Sequence, residues 1–369
     1  MYRNLNRTIW LVTITIVGVG LLTLFSASSE NVRVSQKVFY DQLTGAGLGL
    51  LLMFFISRMD YRRFFDLAYI FYGLNILILI YVLLGGRHAL GARRWLEIGI
   101  LSFQPSEITK LSIILLLAKY YTTHRPRVLR SASWGSPGIV WRDLLFPFIL
   151  TTIPMLLIFK QPDLGTAILL FGIFFFMVFV SGVRYRYIIG FVLTGMISMP
   201  ILWKFLKSYQ KDRLLVFLNP NIDPLGAGYT IIQSKIAIGS GQVFGKGWLA
   251  GTQNQLNFLP ERHTDFIFSV IGEEWGLLGS LFLVGCYFAL IWCGFKVAEG
   301  TKDQFGSLTA IGIVSILTLQ VTINIGMVMG LCPVVGITLP LISYGRTSFI
   351  LFIIMLGILL NLSRKRTIF

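Results

Sequence analysis

The stretch LGTAILLFGIFFFMVFVSG, residues 164–182, contains no charged residue. As a helix it is about 28 Å long, close to the roughly 30 Å hydrocarbon core of a bilayer. Apolar runs of roughly 17–25 residues recur on both sides of it, and each reads as a membrane-crossing helix. Working outward gives about ten spans: Ile9–Phe25, Gln42–Ser57, Phe64–Leu84, Glu107–Tyr121, Leu144–Phe159, Leu164–Gly182, Ile188–Leu206, Phe266–Phe295, Leu308–Gly330 and Thr347–Leu362. The eighth is long enough to include a segment outside the hydrocarbon.

Composition agrees. Hydrophobic residues make up 55% of the 369 and charged residues 13%, with a mean hydropathy of +0.75. A soluble globular chain carries about 25% charge. The reading is an all-α polytopic membrane protein forming a single domain over residues 1–369. Arg3 and Arg7 ahead of the first run, with Ser26-Ala27-Ser28 after it, look like a secretion signal; we read the segment as a signal anchor that remains as the first span.

The net charge of +16 does not indicate nucleic acid, because the Lys and Arg residues sit in short loops and form no basic domain. Membrane orientation and attraction to anionic lipid account for the excess. One alternating set of loops carries Arg3 and Arg7; Arg58, Arg62 and Arg63; Arg125, Arg127, Arg130 and Arg142; Arg184 and Arg186; Lys296 and Lys302; and Arg364, Lys365 and Arg366. The opposite short loops carry chiefly Arg33, Lys37, Arg87, Arg93 and Arg94. The bias predicts that both termini are cytoplasmic. Cys286, Cys293 and Cys332 have neither disulfide framework nor metal-ligand spacing.

A long outside loop, about residues 207–265, joins spans seven and eight. It lacks a core-sized apolar set, yet interleaves Ile231, Ile232, Ile236 and Ile238 with glycines from Gly226 to Gly251. Short amphipathic or re-entrant pieces lying on the bundle are expected, since irregular backbone at membrane depth must be covered by protein or line a wet cavity. No internal repeat of the kind that marks inverted-repeat transporters is visible.

Charged groups at the membrane lip are candidates for function. Glu107 and Lys110, three residues apart, share a helix face and can pair; they read either as a neutralising ion pair or as the polar wall of an outward cavity. In PERHTDF, residues 260–266, Asp265 stands at a helix start, where the dipole favours a carboxylate and keeps it ionised. It is either an N-terminal charge or a general base reachable from a wet cleft. Glu261, His263 and Asp265 would align on a strand, but no fourth metal ligand converges. Glu273 and Glu274, about 12 Å further along the helix, read either as buried partners of a basic residue or as groups that help fix the helix in the bundle. The tight link Lys160-Gln161-Pro162-Asp163 carries one charge of each sign. The kinked lead-in to the last span, residues 339–347, reads either as a structural kink or as one that frees backbone N–H groups near Ser343 to face an anion. GSGQVFGKG, residues 239–247, is not a nucleotide loop: Ser240 and Gly247 occupy positions where a Walker motif needs glycine and Ser or Thr.

Several of these motifs together resemble the SEDS family (shape, elongation, division and sporulation), and are most similar to its rod-elongation, RodA, branch. The pieces are GARRWLEIG (91–99), SFQPSEITKL (102–111), KQPDLGTA (160–167), RLLVFLNPNIDPLGAGYTIIQSKIAIGSG (213–241), GKGWLAGTQNQLNFLPERHTDFIFSVIGEEWG (245–276) and NIGMVMGLCPVVGITLPLISYG (324–345). The resemblance implies a ten-helix bundle in the bacterial inner membrane, with both termini inside and a periplasmic active site that polymerises lipid II into peptidoglycan glycan strands. It implies catalysis by the aspartate of HTDF, here Asp265, with Glu107 and Lys110 as polar cavity residues. It also implies pairing with a class B penicillin-binding protein transpeptidase and other membrane proteins of the elongation complex. Arg346 and Gln242 depart from the family pattern, which has glycine at both positions.

Lipid II is an α-linked pyrophosphate and glycan strands are β-linked, so the transfer inverts the anomeric centre, which suits a single displacement with a base on the nucleophile. Lys110, Arg94, Arg213 and Lys246 are the candidate cations for the leaving pyrophosphate, a divalent cation (Mg or Mn) being a further possibility. Lys160, Asp163, His263 and Ser343 complete the cavity candidates. The competing readings are a lipid II flippase or transporter, a division-branch FtsW-like polymerase, and a scaffold that only recruits a transpeptidase.

Overall fold

The computed structural model describes residues 2–28, 32–89, 92–98, 101–124, 142–183, 185–205, 208–226 and 228–365. The ten expected spans are all helices: α1 (Tyr2–Ala27), α2 (Val32–Ile56), α3 (Arg62–Gly85), α4 (Pro105–His124), α5 (Arg142–Lys160), α6 (Leu164–Val180), α7 (Tyr185–Phe205), α11 (Ile267–Gly300), α12 (Gln304–Val328) and α13 (Arg346–Lys365). Among the described residues seven of these, α1, α2, α3, α5, α11, α12 and α13, are long and apolar enough to cross a membrane. The other three are shorter or carry intramembrane charge. Of the orienting loop cations, Arg125, Arg127, Arg130, Arg184 and Arg366 lie outside the described residues, as does Leu206 at the expected end of the seventh span.

Each helix's surroundings follow from which face is apolar. α4 is buried from Pro105 to Leu117 apart from Ile108, polar Ser106, Glu107, Thr109, Lys110 and Ser112 included, which puts it at the centre of the bundle. It packs on α3, α6 and α12. By contrast α3 turns Leu67, Ile70, Leu74, Leu77 and Tyr81 outward, which is stable only against lipid. α2 lies along α13, and α1 against α11.

The long connection between α7 and α11 contains α8 (Ser208–Leu218), a 3-10 turn at Pro220–Ile222, α9 (Tyr229–Ser240) and the single turn α10 (Thr252–Gln255). α9 buries Ile231, Ser234 and Ala237 against α11 and α12. The segment therefore rests on the bundle as the sequence predicts. α11 counts 34 residues, of which the 24 from Leu277 to Gly300 form about 36 Å of continuous helix, longer than the roughly 30 Å hydrocarbon core. It breaks at Gly276 (φ 66°, ψ −159°), where a Cβ would lie 2.3 Å from the Gly245 nitrogen. Only glycine fits that backbone crossing.

One feature is absent from the sequence reading. After α3, residues 87–103 form a three-stranded antiparallel sheet, β1 (Arg87–Ala89), β2 (Ala92–Ile98) and β3 (Leu101–Phe103), in the order β1-β2-β3. Its strands are too short for an alternating pattern to stand out. Its effect is to carry Arg94 and Trp95 over the outer end of the bundle.

Candidate active site

A cavity of about 490 Å³ opens at the end of the bundle that carries the long connection and the sheet. α4 supplies Glu107 and Lys110; β2 supplies Arg94 and Trp95; the start of α6 supplies Asp163 and Thr166; α8 supplies Arg213. The segment before α11 contributes Glu261, Thr264 and Asp265, and the α12–α13 connection contributes Pro333–Thr338 and Tyr344–Ser348. Residues far apart in sequence thus meet around one hollow.

Lys110 is 1% exposed and pairs with Glu107 at 2.8 Å. Its ammonium also donates to Gln320 Oε1 at 3.1 Å, and the Gln320 amide donates to the Thr338 carbonyl at 3.0 Å. A buried ammonium needs this compensation. Glu107 Oε2 has no partner, so one acceptor of the wall is unused. Asp163 caps α6, accepting from Thr166 N (3.1 Å) and Thr166 Oγ1 (3.0 Å), and ties α4 to it by accepting from Ser106 Oγ (3.1 Å) and Gln104 Nε2 (3.2 Å). Arg94 donates to the carbonyls of Gln161 (2.9 Å) and Pro162, fixing the α5–α6 link. Arg213 is exposed and donates to the Val334 carbonyl at 3.3 Å.

Asp265 lies two residues before α11 and does not cap it; the N-cap is Phe266, without a side-chain bond. Its carboxylate receives no hydrogen bond from any described residue, and Oδ2 faces Gly336, where a Cβ would approach to 3.4 Å. The group keeps some exposure to the cavity but lies deep beneath the protein surface. Burial pushes its pKa up to about 7; Glu261 and Asp163 push the same way, against Arg213 and Arg94. This corrects the expectation that the helix dipole keeps it ionised: desolvation outweighs a dipole effect of about 1 kcal/mol. A carboxylate poised near neutrality is what a general base requires.

Four nominated residues do not line the hollow. Lys160 is exposed at the end of α5. Lys246 pairs with Glu273 at 2.7 Å, the basic partner anticipated for that glutamate. His263 accepts from Tyr344 N at its backbone carbonyl and sets its ring edge-on to the Tyr344 ring, centroids 6.1 Å apart, and burial lowers its ring's pKa. Ser343 is buried, its hydroxyl donating to the Thr264 carbonyl at 2.5 Å. Glu261, His263 and Asp265 lie in turns rather than a strand. Among the described residues no three His, Cys, Asp or Glu side chains converge as metal ligands. A divalent cation would have to be held largely by water and substrate phosphates.

Arg346, without an assigned role in the sequence, lines the cavity and forms an ion pair with Asp41 of α2. Tyr344 is hydrogen-bonded to the same carboxylate, and burial and Asp41 together raise its pKa. Gln320 and Gly336 are further cavity residues the sequence did not single out. An apolar-flanked glutamine and one glycine among many carry no distinguishing local signal.

Known proteins agree with this architecture. The family described as "Cell cycle protein", FTSW_RODA_SPOVE, matches residues 6–368. The chain is 40% identical over 364 residues to the peptidoglycan glycosyltransferase MrdB of Escherichia coli (strain K12), covering 98% of this chain and 94% of that one. It superposes with a TM-score of 0.81, at 34% identity and 98% coverage of both chains, on a chain from a solved peptidoglycan synthase complex described as coordinating polymerization and crosslinking. With the rod shape determining protein RodA of Thermus thermophilus the TM-score is 0.70 at 32% identity, over 97% of this chain and 96% of that one. A multi-pass bundle, a hollow lined by charged side chains from its longest connection and its helices, and likeness over nearly the whole length lead to one conclusion: this chain belongs to the FtsW/RodA/SpoVE, or SEDS, family of peptidoglycan glycosyltransferases.

Proposed function

We propose that the chain polymerises lipid II into glycan strands during cell elongation, with Asp265 as the general base of an inverting transfer. The observation that carries this reading is the Asp265 carboxylate itself: it opens into a cavity lined by charged side chains, has no hydrogen-bond donor among the described residues, and has its pKa pushed up to about 7 by burial. The acceptor's sugar hydroxyl gives its proton to Asp265 as its oxygen bonds the donor's anomeric carbon. The carbon–oxygen bond to pyrophosphate breaks on the opposite face, and the leaving group takes the electron pair. Arg213 and Arg94, whose positive charges already act on Asp265, are placed to meet the developing phosphate charge. Lys110 stays with Glu107 and Gln320 and shapes the wall.

In this reading both termini are cytoplasmic and the cavity faces the periplasm of a bacterial inner membrane. A class B penicillin-binding protein is the crosslinking partner, in keeping with the synthase complex to which the fold is similar.

The test is a glycan-polymerisation assay on the purified chain with labelled lipid II, with and without the transpeptidase. Wild type makes strands, and Asp265→Ala lowers the rate by about 10²–10⁴-fold, the range for loss of a general base, while the bundle stays folded. Strands made equally well by Asp265→Ala would remove the base. Lipid scrambling in vesicles without polymer would favour a flippase. Depletion in cells separates the branches: rounding indicates elongation and filamentation indicates division.

A further inference from the structure

Three consecutive carbonyls of the segment that carries the base are each held by a donor from the α12–α13 region. Tyr344 N donates to His263 O at 2.8 Å, Ser343 Oγ to Thr264 O at 2.5 Å, and Asn324 Nδ2 to Asp265 O at 2.9 Å. The two side chains are also fastened from behind. Asn324 Nδ2 donates a second bond to Ile337 O at 2.6 Å, and Ser343 Oγ accepts from Leu339 N at 2.8 Å. The backbone of 263–265 is therefore strapped to the connection that forms the opposite wall of the cavity.

The arrangement matters because the Asp265 carboxylate has no donor of its own. Its placement comes from the main chain beneath it and from the Gly336 backbone beside Oδ2. Asn324 sets both at once, through Asp265 O and through Ile337 O, one residue from Gly336. It is fully buried, and its Oδ1 has no partner. Carbonyls on both sides of the nitrogen fix which way the amide points. An orphaned buried oxygen is a cost, so the side chain is there for what its NH2 group does.

We infer that Asn324 and Ser343 are positioning residues that fix the Asp265 carboxylate at the reacting distance in the cavity. The inference rests on the reading of Asp265 as the base. Displacing a reacting group by about 1 Å costs on the order of a hundredfold in rate, so loosening either strap lowers turnover more than substrate binding. It also moves the titration. Asp265 faces Glu261 on its own segment, Asp163 on α6, Arg94 on β2, Arg213 on α8, and the Glu107–Lys110 pair and Arg346 across the same hollow. A carboxylate released toward water loses the burial that raised it, and its titration falls toward the ordinary aspartate range.

The experiment compares Asn324→Ala, Ser343→Ala and Ser343→Thr with wild type, all full-length, in steady-state polymerisation with thermal unfolding in parallel. For the two alanine variants the expected result is a kcat about tenfold or more below wild type, a KM within about threefold, and an acid limb of the rate profile at lower pH. Ser343→Thr, which keeps the hydroxyl, recovers most of the turnover. Turnover per folded molecule and an acid limb both unchanged, whatever happens to Tm, would overturn the inference. Should Asn324→Ala not fold, the Ser343 pair decides alone. If Asp265→Ala is inactive while the straps have no effect, only this inference fails; if Asp265→Ala is active, the reading beneath it fails.

Discussion

Two acidic groups flank the first turns of α11, and they are solvated by protein in opposite ways. Glu273, fully buried, accepts from Lys246 Nζ (2.7 Å), Thr252 Oγ1 (3.2 Å), Gln253 N (3.0 Å) and Asn254 N (3.3 Å). It replaces its lost water with four donors and caps the single turn α10. Asp265, two turns earlier, opens to a cavity and has no donor among the described residues. A satisfied carboxylate is an anchor; an unsatisfied one retains the lone pairs with which to take a proton. In the proposed mechanism the same residue chemistry thus serves structure at Glu273 and reactivity at Asp265, and the donor set distinguishes them.

If Glu273 is an anchor, Glu273→Ala leaves two backbone N–H groups without an acceptor and strips Lys246 of its ion pair, leaving its bond to Thr252 Oγ1. The expected cost is on the order of 3 kcal/mol, read as a lower Tm, with turnover per folded molecule held within a few-fold of wild type. Lost turnover at unchanged Tm would make Glu273 part of the chemistry and collapse the distinction.

A pH-dependent effect tests the other carboxylate. With its pKa raised from 3.8 to about 7, Asp265 is protonated in the folded chain and ionised in the unfolded chain between those values. Its contribution to stability is complete below about pH 4 and is lost as pH rises through 7. Asp265→Asn never bears the charge, so it should raise Tm over wild type most above pH 7 and little at pH 4–5. A gain that does not vary with pH would show that the carboxylate is not desolvated.

Much of this was legible in the sequence. Ten apolar runs of bilayer length gave ten helices, because a span must satisfy its own backbone and leaves a length signature. Glu107 and Lys110 were legible because helical spacing dictates their contact. Asp265 stood out as a charge where charge is costly. The sequence misassigned Lys246 because a cation on a glycine-rich loop has no local mark of the helix face it will meet; Glu273, 27 residues on, decides that. Ser343 was nominated for the correct region with the wrong partner, since only the fold shows that a carbonyl of the HTDF segment lies above it. Asn324 was invisible for the same reason: its donors serve main chain brought there by two connections.

The smallest effect concerns a third carboxylate, intermediate between the other two. Asp41 and Arg346 are 22% and 26% exposed, and Tyr344 shares the same acceptor. Half-solvated pairs contribute about 0.2–1 kcal/mol, so Asp41→Asn and Arg346→Gln should each lower stability by less than about 1 kcal/mol, and the double variant by no more than the larger single. The two diverge if Arg346 also serves the cavity it lines. Freed from Asp41, its guanidinium then gains access to substrate phosphate, and Asp41→Asn lowers KM while Arg346→Gln raises it. Equal, non-additive losses of stability with no change in KM would make the pair a staple between α2 and α13. Opposite movements of KM would make it a charge shared between the bundle and its substrate, neither anchor nor base.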